Sequence, residues 1–156
     1  MTARVDLERE ALEQFAARAR EHGFVPLGGQ GRGNRLVLMG NNYFQFGDLR
    51  VDTPTGHIVI EAESAGGVTN LIKYWYCLKS ALIRRPMTLI HLFRQTSSQD
   101  YVAHLKLWDF LCDRMKSDLA GEFDAIRFQY RSLQDLLPAL RHFESLLAES
   151  NRRNQP

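Results

Sequence analysis

Four carboxylates crowd the segment GDLRVDTPTGHIVIEAES at residues 47–64: Asp48, Asp52, Glu61 and Glu63, with Arg50 and His57 among them. Clustered acids repel one another, and the chemistry that uses them is the holding of a hard divalent cation or general acid–base work. Apolar and polar residues alternate on either side of TPTG, as in a β-hairpin. With Pro54 and Thr55 at the centre of the turn, Asp48 faces Glu61, Arg50 faces Val59 and Asp52 faces His57. Directly opposed residues share a face of a sheet. Glu63 joins that face, whereas Leu49, Val51, Ile58, Ile60 and Ala62 compose an apolar one.

Asp48 opposite Glu61 costs a strand pair up to ~1 kcal/mol. Mg²⁺ or Mn²⁺ would relieve that repulsion, since either ion takes oxygen ligands and is commonly held by one or two carboxylates, with water and substrate phosphate completing the shell. The Asp52 and His57 pair, at the turn end, reads as a surface ion pair.

The elements that must position these groups follow from periodicity and punctuation. Val5, Leu12, Phe15, Ala16 and Ala19 predict a first helix over 6–22, capped by Asp6 and stopped at Gly23. LGGQGRGNR reads as a loop, because it matches neither phosphate-loop nor dinucleotide fingerprints. RLVLM is a first strand, GNN a turn, and 43–53 a second strand bulged at Gly47; 57–63 is the third. A second helix is expected over 67–84 with Leu71, Trp75, Leu78 and Leu82 inward, ended by Pro86. MTLIHLF, continuously apolar, predicts a strand covered on both faces. A third helix capped by Ser98 carries Tyr101, Leu105, Trp108, Cys112, Met115 and Leu119. AIRFQY is a last strand, and a final helix over 133–149 can restart at Pro138. The expected fold is therefore α/β: an antiparallel three-strand meander extended by parallel crossover strands, with helices on both faces.

The 156 residues suit one domain over 1–150 with a disordered tail at 151–156. With 44% apolar and 24% charged residues, a disordered or fibrous chain is excluded. No apolar run reaches the ~20 residues a membrane helix needs, nor does the N-terminus carry a signal-type apolar core. Cys77 and Cys112 form no metal or disulfide motif and read as buried thiols. A cytoplasmic protein without a membrane partner is the expectation. Net charge is only +2, but residues 64–99 hold no acid against Lys73, Lys79, Arg84, Arg85 and Arg94. A basic segment following an acidic hairpin suits a polyanion together with a cation. Arg32 and Arg35 in the glycine-rich loop are further phosphate-binding candidates, beside the reading of that loop as a mobile connector. His91 within LIHLF reads as a core histidine, and no nucleophile motif competes.

The order helix, meander, helix, covered strand, together with GDLRV and VIEAES, resembles the PD-(D/E)xK nuclease superfamily over roughly residues 5–93. The resemblance implies a restriction-endonuclease-like fold and hydrolysis of DNA by metal-activated water. It carries the metal-ligand roles onto Asp48 and Glu61. Glu63 stands where Lys is usual, giving E-x-E in place of E-x-K, and would bind metal or accept the proton. Lys73 on the next helix is the candidate to return a cation to the site. DNA phosphates would then meet Arg32, Arg35, Lys73, Lys79 and Arg84. Three readings remain: a Mg²⁺- or Mn²⁺-dependent nuclease, an inactive binding module of the same fold, and an acidic hairpin with no site. A domain this small would call for a homodimer or partner subunit, through a stripe of Leu136, Leu140, Phe143 and Leu147, unless that stripe closes the core.

Overall fold

The computed structural model describes residues 6–29, 31–63, 67–84, 86–95 and 102–156. In chain order its main elements are α1 (Leu7–Glu21), β1 (Pro26–Gly28), β2 (Arg35–Met39), β3 (Asn42–Gln45), β4 (Leu49–Thr53) and β5 (Gly56–Glu63). There follow α2 (Val68–Lys79), β6 (Met87–Arg94), α3 (Val102–Asp118), β7 (Phe123–Tyr130) and α4 (Leu137–Arg153), with 3₁₀ turns at Arg32–Asn34 and Leu133–Leu136. The result is an α/β protein: a mixed five-stranded sheet in the order β1-β4-β5-β6-β7, a separate β2-β3 hairpin, and four α-helices among the described residues.

The β4-β5 hairpin has the register its turn dictates, with Arg50 opposite Val59 and Asp52 opposite His57. β5, β6 and β7 run parallel, and Glu61 lies beside His91 and His91 beside Arg127. Alternation then sorts β5 between two cores. Ile58, Ile60 and Ala62 join Leu49 and Val51 against α1 and α4, where Phe15 and Phe143 lie fully buried. Val59 points to the other layer, packing with Leu71, Tyr74 and Leu78 of α2 and Trp108, Cys112 and Met115 of α3. Leu136, Leu140, Phe143 and Leu147 belong to the first core, so that stripe closes the chain on itself and is not open to a partner.

Several boundaries differ from expectation. The strand expected over 43–53 is two strands in different sheets, because Gly47 adopts φ +82° and turns the chain between β3 and β4. A side chain there would also meet Val59, with Cβ 2.5 Å from Cγ1. On the side away from β5, β4 consequently pairs antiparallel with β1, a short strand that overlaps the start of the segment read as a loop, and not with β2. Helix α2 ends at Lys79, five residues short, where Ser80 caps it and Ala81 turns to φ 58°. Its buried face takes Leu71, Tyr74, Cys77 and Leu78 and leaves Leu82 partly exposed. Helix α4 restarts after the 3₁₀ turn with Pro138 in its first turn and runs to Arg153, so residues 151–153 are helical and not a disordered tail. The expected cap Ser98, Tyr101 and the cation Arg85 lie outside the described residues.

Candidate site at the ends of the central strands

The C-terminal ends of β5 and β6, the start of β4 and the first turns of α1 and α2 meet at one end of the sheet. In open α/β sheets that end is where ligands are taken up. Here β5 delivers Glu61 and Glu63, and Gly47 sets Asp48 beside them.

Glu61 is buried, only 4% exposed. A carboxylate so placed must be partnered or neutral. Lys73 Nζ of α2 lies 3.1 Å from Glu61 Oε1 and also donates to Gln45 O at 3.1 Å, while the Tyr74 hydroxyl donates to the same Oε1. Burial pushes the Glu61 carboxyl up to about 7 against the pull of Lys73, with the nearby Asp48 charge adding to the rise. Burial likewise raises the Tyr74 phenol well above its ordinary value, and the Glu61 charge adds to it. α2 can reach the site because its buried face, Leu71, Tyr74 and Leu78, seats it on β5.

Asp48 is held differently. Its Oδ2 accepts the Ala62 backbone N–H at 2.9 Å and its Oδ1 accepts the Gln45 amide at 3.1 Å. The repulsion between Asp48 and Glu61 is therefore met inside the chain by one ammonium and several donors. Buried Asn34 fixes the crossover before Asp48, donating to Gly29 O and Gly47 O at 2.9 Å each. Arg50, 7% exposed and stacked 4.5 Å over Phe46, donates to Gly33 O at 2.8 Å and so anchors the turn that carries Arg32.

Glu63 accepts from the Asn70 amide and faces His91 Nε2 at 3.8 Å. Glu8 adds a carboxylate from α1: burial raises it, and the charges of Asp48 and Glu63 push the same way against Arg94. Tyr130, at the end of β7, is pushed up to about 12 by burial, with Glu8 contributing.

The structure thus brings Asp48, Glu61, Glu63 and Lys73 to one end of the sheet, with Arg94 ending β6 near Glu8, and disperses Lys79, Arg84, Arg32 and Arg35. Lys79 pairs with Asp118 at 3.4 Å. Arg84 donates to Thr53 O at 2.9 Å and Gly56 O at 3.4 Å, tying down the hairpin turn at the opposite end of β5. Arg32 is exposed, and Arg35 stacks 4.2 Å from the Tyr43 ring centre on the β2-β3 hairpin. Asp52 and His57 form the expected turn-end pair, Oδ1 to Nδ1 at 2.6 Å, beside a cleft of about 230 Å³ lined by Thr55, Thr88 and Ser150, away from the carboxylates.

Among the described residues no group of three or more His, Cys, Asp or Glu side chains is placed to hold a metal ion. The donor chemistry still fits a hard cation, because Mg²⁺ and Mn²⁺ sites commonly use one or two carboxylates and leave the remainder to water and substrate phosphate. Asp48 and Glu61 are two carboxylates of the right chemistry, with the Asp48 charge felt at Glu61, though both already accept donors from within the chain. Burial raises both thiols, Cys77 and Cys112, which makes them inert packing groups.

Residue reading missed Tyr74, Gln45, Asn70 and Glu8. Tyr74 and Asn70 sit on a helix whose rotation only packing sets, and Glu8 resembles any acid in a first helical turn. His91 carried the one usable signal, a polar residue inside the apolar run of a covered strand.

Comparison with protein-family models, curated proteins and solved structures finds no match for the chain. Among the described residues no helix is long and apolar enough to cross a membrane.

Proposed function

We propose that the protein is a metal-assisted phosphodiesterase acting on nucleic acid, DNA first, at the C-terminal ends of β5 and β6, within a restriction-endonuclease-like variant of the mixed sheet. One observation carries this reading: Lys73, 3.1 Å from Glu61, supplies from α2 the cation that E-x-E lacks on the strand. Asp48 and Glu61 would hold Mg²⁺ or Mn²⁺, which when bound lowers the pKa of water and offsets charge on a phosphodiester. Glu63 takes the proton of the attacking water as its oxygen bonds to phosphorus, and the ester oxygen leaves and is protonated from solvent. Lys73 holds its ammonium at the carboxylate edge, where a phosphate oxygen also gains from it. Arg32 and Arg35 contact backbone phosphates farther out, and a second copy or partner subunit would extend the DNA-binding surface.

A second reading has its own support. Asp48 and Glu61 already accept donors from within the chain, as a site that has become a structural polar cluster would. The protein is then a nucleic-acid- or protein-binding module without catalysis.

Thermal melting with and without millimolar Mn²⁺ or Mg²⁺ separates them, since an ion that binds only the folded chain raises Tm. The nuclease reading expects a rise that Asp48→Asn and Glu61→Gln abolish, and metal-dependent cleavage of DNA lost in the same variants. No rise and no cleavage, with DNA binding unchanged in both variants, leaves the module.

A further inference from the structure

The third carboxylate of the site, Glu63, accepts from Asn70 and is faced by His91, which is itself fixed from behind. His91 is fully buried on β6. Trp108 of α3 brings its indole Nε1 to 2.9 Å from His91 Nδ1. An indole N–H only donates, so Nδ1 must present its lone pair, and in a neutral imidazole the single proton then sits on Nε2. Nε2 is buried without a hydrogen-bond partner in the present geometry, and it faces Glu63 Oε1 at 3.8 Å. Phe93 packs against the ring at 4.4 Å between centroids. Gly67 is pressed on its edge, where a Cβ would stand 2.8 Å from Cε1. Turning the ring over would forfeit the Trp108 bond, so the orientation is set from three sides.

We propose that Trp108 locks His91 as the neutral tautomer protonated on Nε2, and that His91 is thereby the positioning residue for Glu63, aiming its N–H at Oε1. Asn70 of α2 donates to the same oxygen. Oε1 is thus the steadied oxygen, and under the metal-assisted reading Oε2 is the one assigned to water or a ligand. The lock also bars His91 from serving as a metal ligand, because one nitrogen's lone pair is taken by Trp108 and the other nitrogen bears the proton. The work given to Oε2 rests on the metal-assisted reading above; the lock does not.

Long-range ¹H–¹⁵N spectra of the full chain with labelled histidine, assigned with His91→Gln, read the tautomer directly. The expected result is an acceptor-type Nδ1 and a protonated Nε2 in the wild type, with a population protonated on Nδ1 appearing in Trp108→Phe. A wild-type ring protonated on Nδ1, or a spectrum that Trp108→Phe leaves unchanged, overturns the lock. The rate of Mn²⁺-dependent DNA cleavage per folded chain then tests positioning. His91→Leu should slow it about tenfold or more, as loss of an outer-shell partner does, and His91→Gln, whose amide can donate from nearly the same place, should restore most of the rate. Equal slowing in both variants, or none in either, overturns the positioning role. A wild type that takes up no Mn²⁺ sinks the metal-assisted reading and with it the role of Oε2, while the spectra still judge the lock.

Discussion

The two faces of the central sheet are built from alternate residues of the same strands, yet they solve different problems. Toward α1 and α4, Ile58, Ile60, Ala62, Ile90 and Leu92 meet Phe15, Ala139 and Phe143 in a layer of apolar side chains. Toward α2 and α3 the strands present Val59, Leu89 and Phe93 but also Glu61 and His91, both buried. An apolar layer needs only volume and shape. Buried acid and imidazole need named partners at fixed distances, here Lys73, Tyr74 and Trp108. The first face therefore serves stability, while the second accepts an energetic cost that packing alone would have avoided. That asymmetry is why the candidate site is sought on the α2-α3 side.

The sharpest break of this comparison lies in the apolar layer. Phe143→Ala removes a fully buried ring packed 5.3 Å from Phe15. It should destabilise the chain by about 3–5 kcal/mol in urea unfolding, without altering any Mn²⁺ effect on the fraction that remains folded. A loss below about 1 kcal/mol would mean that the layer is loosely packed.

The next effect belongs to the polar layer. The folded pKa of Glu61, about 7, lies above the ordinary 4.5. Between those values the folded chain binds the extra proton, so stability falls as pH rises through the window. From this group the decline amounts to roughly 3 kcal/mol when complete. Unfolding free energies measured from about pH 5 to about pH 8 should decline in the wild type and flatten in Glu61→Gln. A slope that survives the substitution would assign the cost to another group.

The smallest effect is expected at the turn end. Asp52 is nearly half exposed, and asparagine keeps an oxygen that can accept from Arg50 and His57. Asp52→Asn should cost under about 1 kcal/mol in the same unfolding assay, and should leave Mn²⁺ binding untouched because the pair stands at the other end of β5. A large loss there would erase the distinction between the two ends of the hairpin.

Much of the frame was legible in the residues. Alternation about TPTG is enough to assign which side chains of β4 and β5 share a face, since strand period and turn length leave one register that buries Leu49, Val51, Ile58 and Ile60 together. The same alternation brought Asp48, Glu61 and Glu63 to one end. The β1 strand was hidden because three residues, Pro26 to Gly28, give no periodicity to read. The break at Gly47 looked like a bulge because one glycine at positive φ serves a bulge and a sheet change alike. The basic segment looked like one patch in sequence, yet a helix followed by a strand carries Lys73, Lys79 and Arg84 to three separate places.

By itself the sequence determined local matters: the four helices and most of the strands, which hairpin residues are inward, and that acids gather where two strands end. Those follow from periods of two and 3.6 residues and from turn chemistry, all short-range. Only the tertiary structure decided that Lys73 and Tyr74 converge on Glu61, that Glu8 approaches from α1, and that Trp108 stands behind His91. These contacts join residues far apart in the chain, and their geometry depends on how each helix is rotated and seated on the sheet. Packing of whole layers fixes that rotation, and no local pattern encodes it.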